Sequence, residues 1–501
     1  MLKSRRNFLK SVSLGAASLS LTGCSSMDRW ILGGSEYDSQ KVVILGAGLA
    51  GLTAAYELKK NQIPFKVYEG SGRIGGRIWT LPDLNISSQF ADLGGDIIEA
   101  HHQDILNLLT ELKLLKTEMS AEVGYSWIDK GKNLSPREKI KEFGKLSSIF
   151  HQVSADIYGP GKQILNFQNR ELYPKAVKLD EMSVADFFLR LESKWSPWMK
   201  PMMTQWVRSH WGTEPVSLSA LELVHWMRDS FHVNYKKFYK ISGGAGILTQ
   251  SLFDRIAGVL PDRWVQFDSS LEEIRPQENG SWSLIFKTKK GRQEVLAQQV
   301  ICALPLHCLT SIRGWESLPL SPSQKVLFQE MGVASQSRLI LSFKERFWQE
   351  DKVLTEGGSW IWSQPSQALS QAGDKIESGL NAVHGLLQAK VGSLEAEKVG
   401  PRSVEDLLAK LKEFYPKASS FEGISAIHNW KTYPWARGGR CFLKPGQFQK
   451  FDLDFQKTAA QWKWAGDAYD LAHHGTMNAA VITAKEAVKS LFPTAVPATK
   501  I

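Results

Sequence analysis

A glycine-rich turn between a strand and a helix constrains this chain more than any other feature. Residues 42–45 read Val-Val-Ile-Leu, a β-branched apolar run typical of a buried parallel strand. The loop 46–51, Gly-Ala-Gly-Leu-Ala-Gly, follows at once and leads into helix-forming residues over 49–60. A second strand over 65–68 ends at Glu69. This order predicts a βαβ unit of the kind that binds dinucleotides.

Each polar or flexible position of this unit has its own chemical role. Gly46 permits the tight turn, Gly48 lets the backbone approach a pyrophosphate, and Gly51 lets the helix pack closely on the strand. The N–H groups at the start of the helix would face the phosphates. Glu69 lies 23 residues after Gly46, where a carboxylate accepts hydrogen bonds from ribose hydroxyls and repels the 2′-phosphate of NADP.

Composition and charge limit the remaining function classes. The chain has 501 residues, 43% hydrophobic and 22% charged, which is typical of a globular protein with two or three large domains. Its net charge is +10, but the basic residues form no run interleaved with aromatics, so we expect no nucleic-acid partner. The cysteines show no CxxC spacing, and we expect neither a disulfide framework nor a metal site.

The N-terminal residues resemble an export signal. Residues 4–10, Ser-Arg-Arg-Asn-Phe-Leu-Lys, resemble the twin-arginine signal, and the apolar stretch 11–23 is too short to span a bilayer of about 30 Å. We expect a signal peptide over 1–23 and passage through the twin-arginine export machinery, which carries folded proteins. An ordinary amphipathic N-terminal helix is the alternative interpretation.

A possible lipid anchor follows the signal. Residues 21–24, Leu-Thr-Gly-Cys, resemble a lipobox, in which Cys24 would become the lipidated first residue of the mature chain. Cleavage without lipidation is the alternative. A polar linker is expected over 24–39. The expected location is therefore the periplasm of a bacterium, either free or tethered to the membrane as a lipoprotein.

Segments spread over most of the chain resemble, in order, the flavin-containing amine oxidase family. They are residues 73–77 (Arg-Ile-Gly-Gly-Arg), 92–95 (Asp-Leu-Gly-Gly), 241–244 (Ile-Ser-Gly-Gly), 300–305 (Val-Ile-Cys-Ala-Leu-Pro), 338–343 (Arg-Leu-Ile-Leu-Ser-Phe), 464–467 (Trp-Ala-Gly-Asp) and 474–478 (His-Gly-Thr-Met-Asn). The resemblance implies FAD as cofactor, hydride transfer from an amine to flavin N5 to give an imine, and reoxidation by O2 with formation of H2O2.

The resemblance also implies that FAD is held by segments from both ends of the chain. Guanidinium groups of Arg73 and Arg77 suit phosphate, and Asp467 suits a ribityl hydroxyl. A helix predicted over 477–491 would point its N-terminus at the flavin pyrimidine ring. The expected cofactor-binding residues are Gly46, Gly48, Gly51, Glu69, Arg73, Gly75, Gly76, Arg77, Gly94, Gly95, Gly466, Asp467, Thr476 and Met477.

This arrangement predicts an α/β fold with two interleaved domains. A Rossmann-like FAD-binding domain with a parallel sheet is expected from residues 40–100, 240–310 and 455–495. An α+β substrate domain is expected from a helical segment, 101–239, and a mixed sheet, 311–454, that covers the flavin. The active site would lie between the two domains.

Two residues are candidates for the substrate chemistry. Arg338 stands where the family usually has a lysine that contacts flavin N5 through a water, and its guanidinium would stay protonated. Glu99 stands where some polyamine oxidases have an acid, and it could hold the distal ammonium of a diamine or polyamine substrate. We therefore expect Arg338 and Glu99 in the active site.

Two departures from the family pattern bear on the substrate. The aromatic pair that flanks the amine in many members is replaced by Cys441 and Thr476, with Trp360, Trp362, Trp430 and Trp435 as candidate substitutes. Arg440, rather than Cys441, follows the paired glycines, so flavin attachment is expected to be non-covalent.

The alternatives keep the same cofactor. Amino-acid oxidases carry an arginine soon after the glycine pair near position 95, whereas Asp96 and Glu99 follow here and would repel a carboxylate. The first prediction is thus an oxidase of a primary or secondary amine, such as a polyamine. An L-amino-acid oxidase, a flavin desaturase and a non-catalytic flavin-binding envelope protein remain alternatives.

Overall fold

The structure is a computed structural model of the chain. It describes residues 40–82, 90–120, 126–129, 132–133, 136–159, 163–230, 237–258, 261–344, 347, 352–355, 359–364, 385–454 and 461–493. The predicted signal peptide over 1–23, Cys24 and the linker to residue 39 lie outside these residues. The chain from Ser39 to Ile501 forms one compact unit. Within the described part, no helix combines the length and apolarity needed to cross a bilayer.

The longest strands belong to the two large sheets. They are β1 (Gln40–Leu45), β2 (Phe65–Tyr68), β3 (Thr80–Pro82), β4 (Phe90–Asp92), β5 (Ile98–Glu99), β6 (Lys116–Ser120), β7 (Ser126–Asp129), β8 (Lys132–Asn133), β9 (Lys237–Ile241), β10 (Val265–Gln266), β11 (Ser270–Pro276), β12 (Trp282–Thr288), β13 (Gly291–Cys302), β14 (Gly332–Val333), β15 (Gln336–Phe343), β16 (Lys352–Thr355), β17 (Ser359–Gln364), β18 (Gly385–Gly392), β19 (Phe421–Asn429), β20 (Cys441–Phe442) and β21 (Trp462–Trp464).

The helices lie between these strands. They are α1 (Leu49–Lys60), α2 (Gln103–Glu111), α3 (Pro136–Tyr158), α4 (Pro174–Asp180), α5 (Val184–Leu191), α6 (Met199–Trp211), α7 (Ala220–Ser230), α8 (Gly246–Ala257), α9 (Pro261–Trp264), α10 (Leu306–Leu309), α11 (Pro322–Glu330), α12 (Leu394–Glu397), α13 (Ser403–Phe414) and α14 (Met477–Leu491).

The first large sheet carries the predicted dinucleotide unit. Its order is β10-β2-β1-β13-β12-β11, with β21 also paired to β13. Strands β10, β2, β1, β13 and β21 run parallel, whereas β12 and β11 extend the sheet as antiparallel strands. Because β1 and β2 are neighbours joined by α1, the predicted βαβ unit and the α/β fold class are confirmed.

Helices α1, α8 and α14 cover one face of this sheet and share its core. Leu52, Leu248 and Val481 are fully buried there with Val42 and Ile44 of β1. A continuous apolar run such as residues 42–45 of β1 is expected where helices or other layers cover both faces of the sheet.

Helix α2 belongs to the same core, although the prediction placed its residues in the substrate domain. Ile105, Leu108 and Leu109 line one face of α2 and are buried with the core residues of β1 and α1. The predicted domain boundary at residue 100 stays a prediction, and α2 shares the core of the first large sheet. The apolar stripe of α2 has the spacing of a helix that packs on a core, but the stripe does not reveal which core it meets.

The second large sheet has the order β19-β15-β18-β17-β16-β7-β8. All its strand pairs are antiparallel except β16 with β7. Strand β15 alternates: Leu339 and Leu341 face the core with α13, whereas Ile340 packs on Ala91 and Leu93. Period-two alternation places Arg338 on the same side as Ile340, toward the first sheet.

The segment 101–239 is mainly helical, as predicted, but it also contributes strands. Helices α3 to α7 enclose a core in which Phe150, Phe188 and Trp211 are fully buried. Strands β7 and β8 extend the second large sheet, and β6 pairs with β9, which also pairs with β5. Strands β6, β7 and β8 lie between the helices α2 and α3, so the predicted helical segment also carries strands.

Candidate active site

A cavity of about 850 Å³ lies where the nucleotide loop, the start of α14 and the second sheet meet. The loop after β1 contributes Gly46 and Gly48, and the start of α14 contributes Met477. Strands β15 and β18 contribute Arg338 and Lys390 to the opposite wall. The segments that the sequence predicted to hold opposite ends of one cofactor therefore border one continuous space.

The glycines of the nucleotide loop are required by close backbone approaches. Gly46 has φ +99°, in the region that favours glycine, and a Cβ on Gly51 would lie 1.9 Å from the carbonyl oxygen of Gly46. A Cβ on Gly94 would lie 2.0 Å from the carbonyl oxygen of Arg77. These contacts bring α1 against the loop and the 92–95 segment against the second glycine-rich loop.

Glu69 ties the two glycine-rich loops together beside the cavity. Its carboxylate accepts a hydrogen bond from the backbone N–H of Ala47 at 2.7 Å and from that of Ser71 at 2.9 Å. The Ser71 hydroxyl donates to the same carboxylate at 2.7 Å. Glu69 is buried and lines the cavity, so its predicted ribose contact remains a prediction while its role in holding the loops is structural.

Arg73 faces its own loop rather than the cavity. Its guanidinium donates to the backbone oxygens of Ile74 and Gly76 at 3.0 and 2.6 Å, and its Nε donates to the Tyr433 hydroxyl at 3.0 Å. It also stacks over the Trp79 ring at 4.3 Å. All its polar groups are thus directed at protein atoms, and Arg73 is absent from the cavity lining. The predicted phosphate contact of Arg73 stays a prediction, while its hydrogen bonds shape the loop that carries Gly75 and Gly76.

Arg77 and Asp467 form an ion pair at the cavity wall. Arg77 donates through Nη1 and Nη2 to the two carboxylate oxygens of Asp467, and through Nη1 to the Gly439 oxygen at 2.8 Å. Burial would raise the pKa of the Asp467 carboxyl, but the adjacent guanidinium outweighs burial and lowers it. This pair links the second glycine-rich loop to the loop after β21, on which Gly466 also lines the cavity.

The start of α14 has the predicted geometry. The Thr476 hydroxyl oxygen accepts a hydrogen bond from the Ala479 N–H at 3.2 Å, which caps the helix. A Cβ on Gly95 would lie 3.2 Å from the Met477 sulfur, so Gly95 leaves space for the first residue of α14. Thr476, Met477 and Gly95 all line the cavity.

Arg338 belongs to a buried charge cluster. Its Nη2 donates to the Gly94 oxygen and to Asp96 Oδ1, both at 3.1 Å, while Lys240 Nζ lies 3.1 Å from Asp96 Oδ2. Burial would raise the pKa of Asp96, but the Lys240 and Arg338 cations lower it to about 2. Nη1 of Arg338 is buried with no hydrogen-bond partner among the described residues, and Arg338 lines the cavity. Arg338 therefore lies at the cavity, and its Nη1 can donate to a bound group.

Glu99 lines the cavity and accepts a hydrogen bond from one neighbouring ring. The Trp226 indole N–H donates to its Oε1 at 3.1 Å, and His101 Nδ1 lies 3.6 Å from its Oε2. Glu99, His101 and His102 offer ligand atoms within 4.8 Å of one another. However, His102 Nδ1 accepts the Glu99 backbone N–H at 3.2 Å, and burial lowers its pKa well below the usual value. The neutral ring then carries its proton on Nε2, which leaves no lone pair there for a metal.

Lys390 is a site residue that the sequence analysis missed. It lies directly opposite Arg338 in the pairing of β15 with β18 and lines the same cavity. Burial and the Arg338 charge lower the pKa of Lys390 to about 7. The alternation of β18, in which Leu387 and Ala389 are buried in the core with α13, was a sequence signal that could have placed Lys390 on the cavity side.

Arg440 is the second missed residue, since the sequence analysis considered it only as a bar to covalent attachment. Its Nη2 donates to the His474 oxygen at 2.7 Å, and its Nη1 lies 3.2 Å from His210 Nε2. Burial and the Arg440 charge lower the pKa of His210 well below its usual value. The neutral His210 ring can therefore accept the hydrogen bond from Arg440, which lines the cavity beside it.

The tryptophans proposed to replace the aromatic pair have different positions. Trp430 is buried at the cavity, and its indole N–H donates to the Leu93 oxygen at 2.7 Å. Trp435 is 40% exposed and covers Gly70, near the Glu69 end of the cavity. The side chains of Trp360 and Trp362, on β17, lie outside the described part of the structure. Of the four, Trp430 is placed beside the residues that carry the substrate prediction.

The cavity fits the FAD that the resemblance implies. No described side chain caps α1, whose start at the cavity wall leaves N–H groups for phosphate oxygens. The Gly48 position is open, since an added Cβ would approach nothing closer than the Gly76 Cα at 3.8 Å. At the other end, the N-terminus of α14 and the unpartnered Arg338 Nη1 offer donors for the carbonyl and nitrogen atoms of a flavin ring.

Comparisons with known proteins agree with this geometry. A model of flavin containing amine oxidoreductases matches residues 49–491. An L-amino-acid oxidase of Crotalus adamanteus is 23% identical over 460 residues, which cover 88% of this chain and 85% of the relative. The fold is similar to that of cyclohexylamine oxidase from Brevibacterium oxydans IH-35A (TM-score 0.74, 20% identity, 90% and 98% of the chains). It is also similar to putrescine oxidase bound to putrescine (TM-score 0.72, 18% identity, 91% and 99%).

Proposed function

The chain belongs to the flavin containing amine oxidoreductases, and from this premise we propose that it oxidises a primary or secondary amine and passes the electrons to O2. It is an FAD-dependent enzyme. When bound, FAD accepts a hydride from the carbon next to the amine nitrogen, which leaves an imine. The observation that carries the proposal is the single cavity that joins the nucleotide loop, the start of α14 and the basic face of the second sheet.

The protein residues around this cavity supply binding and orientation. Gly46 and Gly48 bring backbone N–H groups close to the pyrophosphate, and Glu69 holds the loop that carries them. The ion pair of Arg77 with Asp467 holds the second glycine-rich loop against the loop after β21. Non-covalent binding is supported by Cys441, which is buried and whose pKa burial raises, so its thiol is a poor nucleophile.

The active-site end of the cavity is enclosed and charged. Arg338 keeps a buried positive charge and a free N–H donor there, and these favour the negative charge that a reduced flavin ring carries. Because a guanidinium stays protonated, Arg338 orients a bound group or a water but does not accept the substrate proton. The substrate must therefore lose its ammonium proton to a group other than Arg338 before hydride transfer.

One anaerobic titration tests the proposal. Purified yellow protein is mixed without oxygen with a panel of amines, amino acids and diamines, and the visible flavin absorbance is followed. We expect at least one amine to bleach the flavin, and air to restore the colour with one H2O2 per turnover. A flavin that no member of the panel bleaches would overturn the proposal in favour of a non-catalytic flavin-binding protein. Colour that returns only with an artificial acceptor would overturn the assignment of O2.

We also infer that the enzyme is exported through the twin-arginine machinery and held at the periplasmic membrane face by a lipid on Cys24. The support is the Arg5-Arg6 pair and the Leu-Thr-Gly-Cys sequence that ends the leader. Fractionation of cells that carry Arg5→Lys combined with Arg6→Lys, or Cys24→Ala, tests it. We expect Arg5→Lys combined with Arg6→Lys to hold the protein in the cytoplasm, and Cys24→Ala to release it from membranes; unchanged fractions would contradict both expectations.

A further inference from the structure

A second cavity, the side cavity, shares one wall with the large cavity that fits FAD. Its volume of about 40 Å³ has room for about two water molecules. The residues that line both cavities are Glu99, His102, Trp226, Arg440 and Thr476. A water in the side cavity would therefore lie next to the space that receives the substrate.

The His474 ring lines the side cavity and lacks hydrogen bonds there. The residue is 6% exposed, and Nδ1 and Nε2 are both buried without a hydrogen-bond partner among the described residues. A neutral imidazole offers one N–H donor and one acceptor nitrogen. Because a buried polar group without a partner is costly, this ring needs a water or another hydrogen-bonding group in the side cavity.

A fixed carboxylate lies beside this ring. Glu222, on α7, is buried, and its Oε1 lies 3.8 Å from His474 Nδ1. Glu222 accepts the Trp211 indole N–H at 3.1 Å and the Leu443 N–H at 2.6 Å, so its position is set by other parts of the chain. A carboxylate held next to an imidazole stabilises the ring when the ring gains a proton.

The remaining groups around the side cavity allow this gain of charge. The other titratable or charged residues of its lining are Glu99, His101, His102, His225, Arg440 and His473. Burial lowers the pKa of His102 well below its usual value, which keeps that ring neutral. Two carboxylates, Glu99 and Glu222, stand against the one guanidinium of this lining, and a proton on His474 would balance them.

We propose that His474 accepts, through a water in the side cavity, the proton that the substrate ammonium loses before hydride transfer. Glu222 stabilises the imidazolium that forms. The proposal rests on the proposed amine oxidation and adds the proton acceptor that the Arg338 guanidinium cannot be. Neither residue touches the substrate, since His474 acts through the water and Glu222 acts through His474.

The proton balances over one turnover. An N–H bond of the ammonium breaks, its electron pair stays on nitrogen, and the proton moves through the water to His474. The neutral amine then gives up a hydride from the adjacent carbon and becomes a protonated imine. Reduction of O2 to H2O2 takes the two electrons and the proton carried as hydride and one further proton, which His474 returns.

Single-turnover kinetics test the proton acceptor. Anaerobic holoenzyme is mixed with pentylamine, or with the fastest amine of the panel if pentylamine does not bleach the flavin, and flavin reduction is followed. His474→Gln should slow reduction about a hundredfold or more at about pH 7. The deficit should shrink to less than about tenfold at about pH 10, because the neutral fraction of an alkylamine rises about tenfold per pH unit below a pKa of about 10.4.

Controls separate this role from a structural one. His151→Gln, at a half-buried histidine of α3 that is absent from the described lining of both cavities, should change nothing. Added imidazole should restore part of the rate at about pH 7 in His474→Ala, which also replaces His474→Gln if that variant does not fold. An equal deficit at both pH values, or no deficit, would overturn the proposal. So would high-pH recovery in Lys390→Met but not in His474→Gln.

A binding measurement without turnover follows the proton itself. Tert-butylamine has no hydrogen on the carbon next to its nitrogen, so it cannot give up a hydride. It is titrated into holoenzyme with isotope-labelled histidine Cε1 atoms, and NMR follows the rings while flavin difference absorbance reports binding. We expect one histidine signal, absent from His474→Gln, to move to the imidazolium position. Bound amine that moves no histidine signal of the wild-type protein would overturn the proposal, even if no variant folds.

The two proposals fail in different ways. A wild-type flavin that no amine reduces would overturn the proposed amine oxidation and this inference with it. A wild-type flavin that an amine reduces, with the same rates and pH profile in His474→Gln, would overturn this inference alone.

Discussion

Two backbone carbonyl oxygens determine where glycine is required around the nucleotide loop. The carbonyl oxygens of Gly46 and Arg77 occupy the space that side chains on Gly51 and Gly94 would need. These close approaches place the start of α1 and the 92–95 segment at the cavity wall. The glycines at positions 51 and 94 thus act on cofactor binding through packing, with no contact to the cofactor required of them.

The variant Gly51→Ala should lose tightly bound flavin. Its Cβ would lie 1.9 Å from the Gly46 oxygen, so α1 must move away from β1 and from the pyrophosphate site. Gly144→Ala is the matched control: Gly144 lies in α3 with nothing within 4 Å of an added Cβ, and the change should stabilise the protein by roughly 0.5–1 kcal/mol. The flavin-to-protein absorbance ratio and the unfolding temperature measure both effects. A Gly51→Ala protein that purifies fully yellow would contradict the packing role.

At this scale the sequence allowed prediction of residues whose neighbours in the chain define them. The glycines, Glu69 and the start of α14 sit in local patterns, and local patterns carry their own geometry. For Arg73 the sequence does not distinguish two roles, because a guanidinium in a glycine-rich loop suits phosphate and backbone carbonyls equally well. Lys390 was missed because its place in the site depends on the pairing of its strand with that of Arg338, 52 positions away. Neither segment alone predicts this pairing.

Helices and strands follow the sequence closely where both ends carry signals. The predicted ranges of α1 and α14 match the observed bounds, because a glycine-rich turn precedes α1 and Thr476 caps α14. Strands β7 and β8 have 4 and 2 residues, too few for an alternation to stand out. Strand β7 joins the second sheet by pairing with β16, and β8 joins it by pairing with β7.

The cap of α14 should matter both to stability and to the cofactor. Thr476→Ala removes the acceptor for the Ala479 N–H and should cost about 1 kcal/mol, and Thr476→Ser should recover most of it. Because Thr476 lines the cavity, the alanine variant should also release flavin more readily on dilution. Ser321→Ala, which removes the cap of α11, should lose similar stability and keep its flavin affinity. Identical flavin affinity in the Thr476→Ala and Ser321→Ala proteins would contradict the cavity role of this helix end.

The whole molecule places buried charges of both signs around the cavity. Arg338 forms an ion pair with Asp96 and lies opposite Lys390 in the pairing of β15 with β18, while Arg440 lines the cavity from the loop before β20. The rings of His210, on α6, and His428, on β19, have pKa values lowered by burial and stay neutral. Among these groups Lys390 is the one whose charge changes near neutral pH.

The titration of Lys390 predicts a pH dependence of the bound flavin. The pKa of Lys390, about 7, is depressed, so its ammonium is present below that pH and lost above it. A cation that lines the cavity favours the negative charge of a reduced flavin. The difference in flavin midpoint potential between the wild-type and Lys390→Met proteins should therefore be largest near about pH 6 and disappear near about pH 9. A difference that stays constant over this range would contradict the assignment of this titration to Lys390.

The order of segments in the sheet around the cofactor has a consequence for biosynthesis. Strand β21 pairs with β13, and α14 packs on α1, yet both come from residues 462–491. While the ribosome is still adding these residues, the nascent polypeptide holds a nucleotide crevice with one wall missing. Flavin capture must therefore wait for the end of translation, because the last wall of the crevice is the last part of the chain to be made.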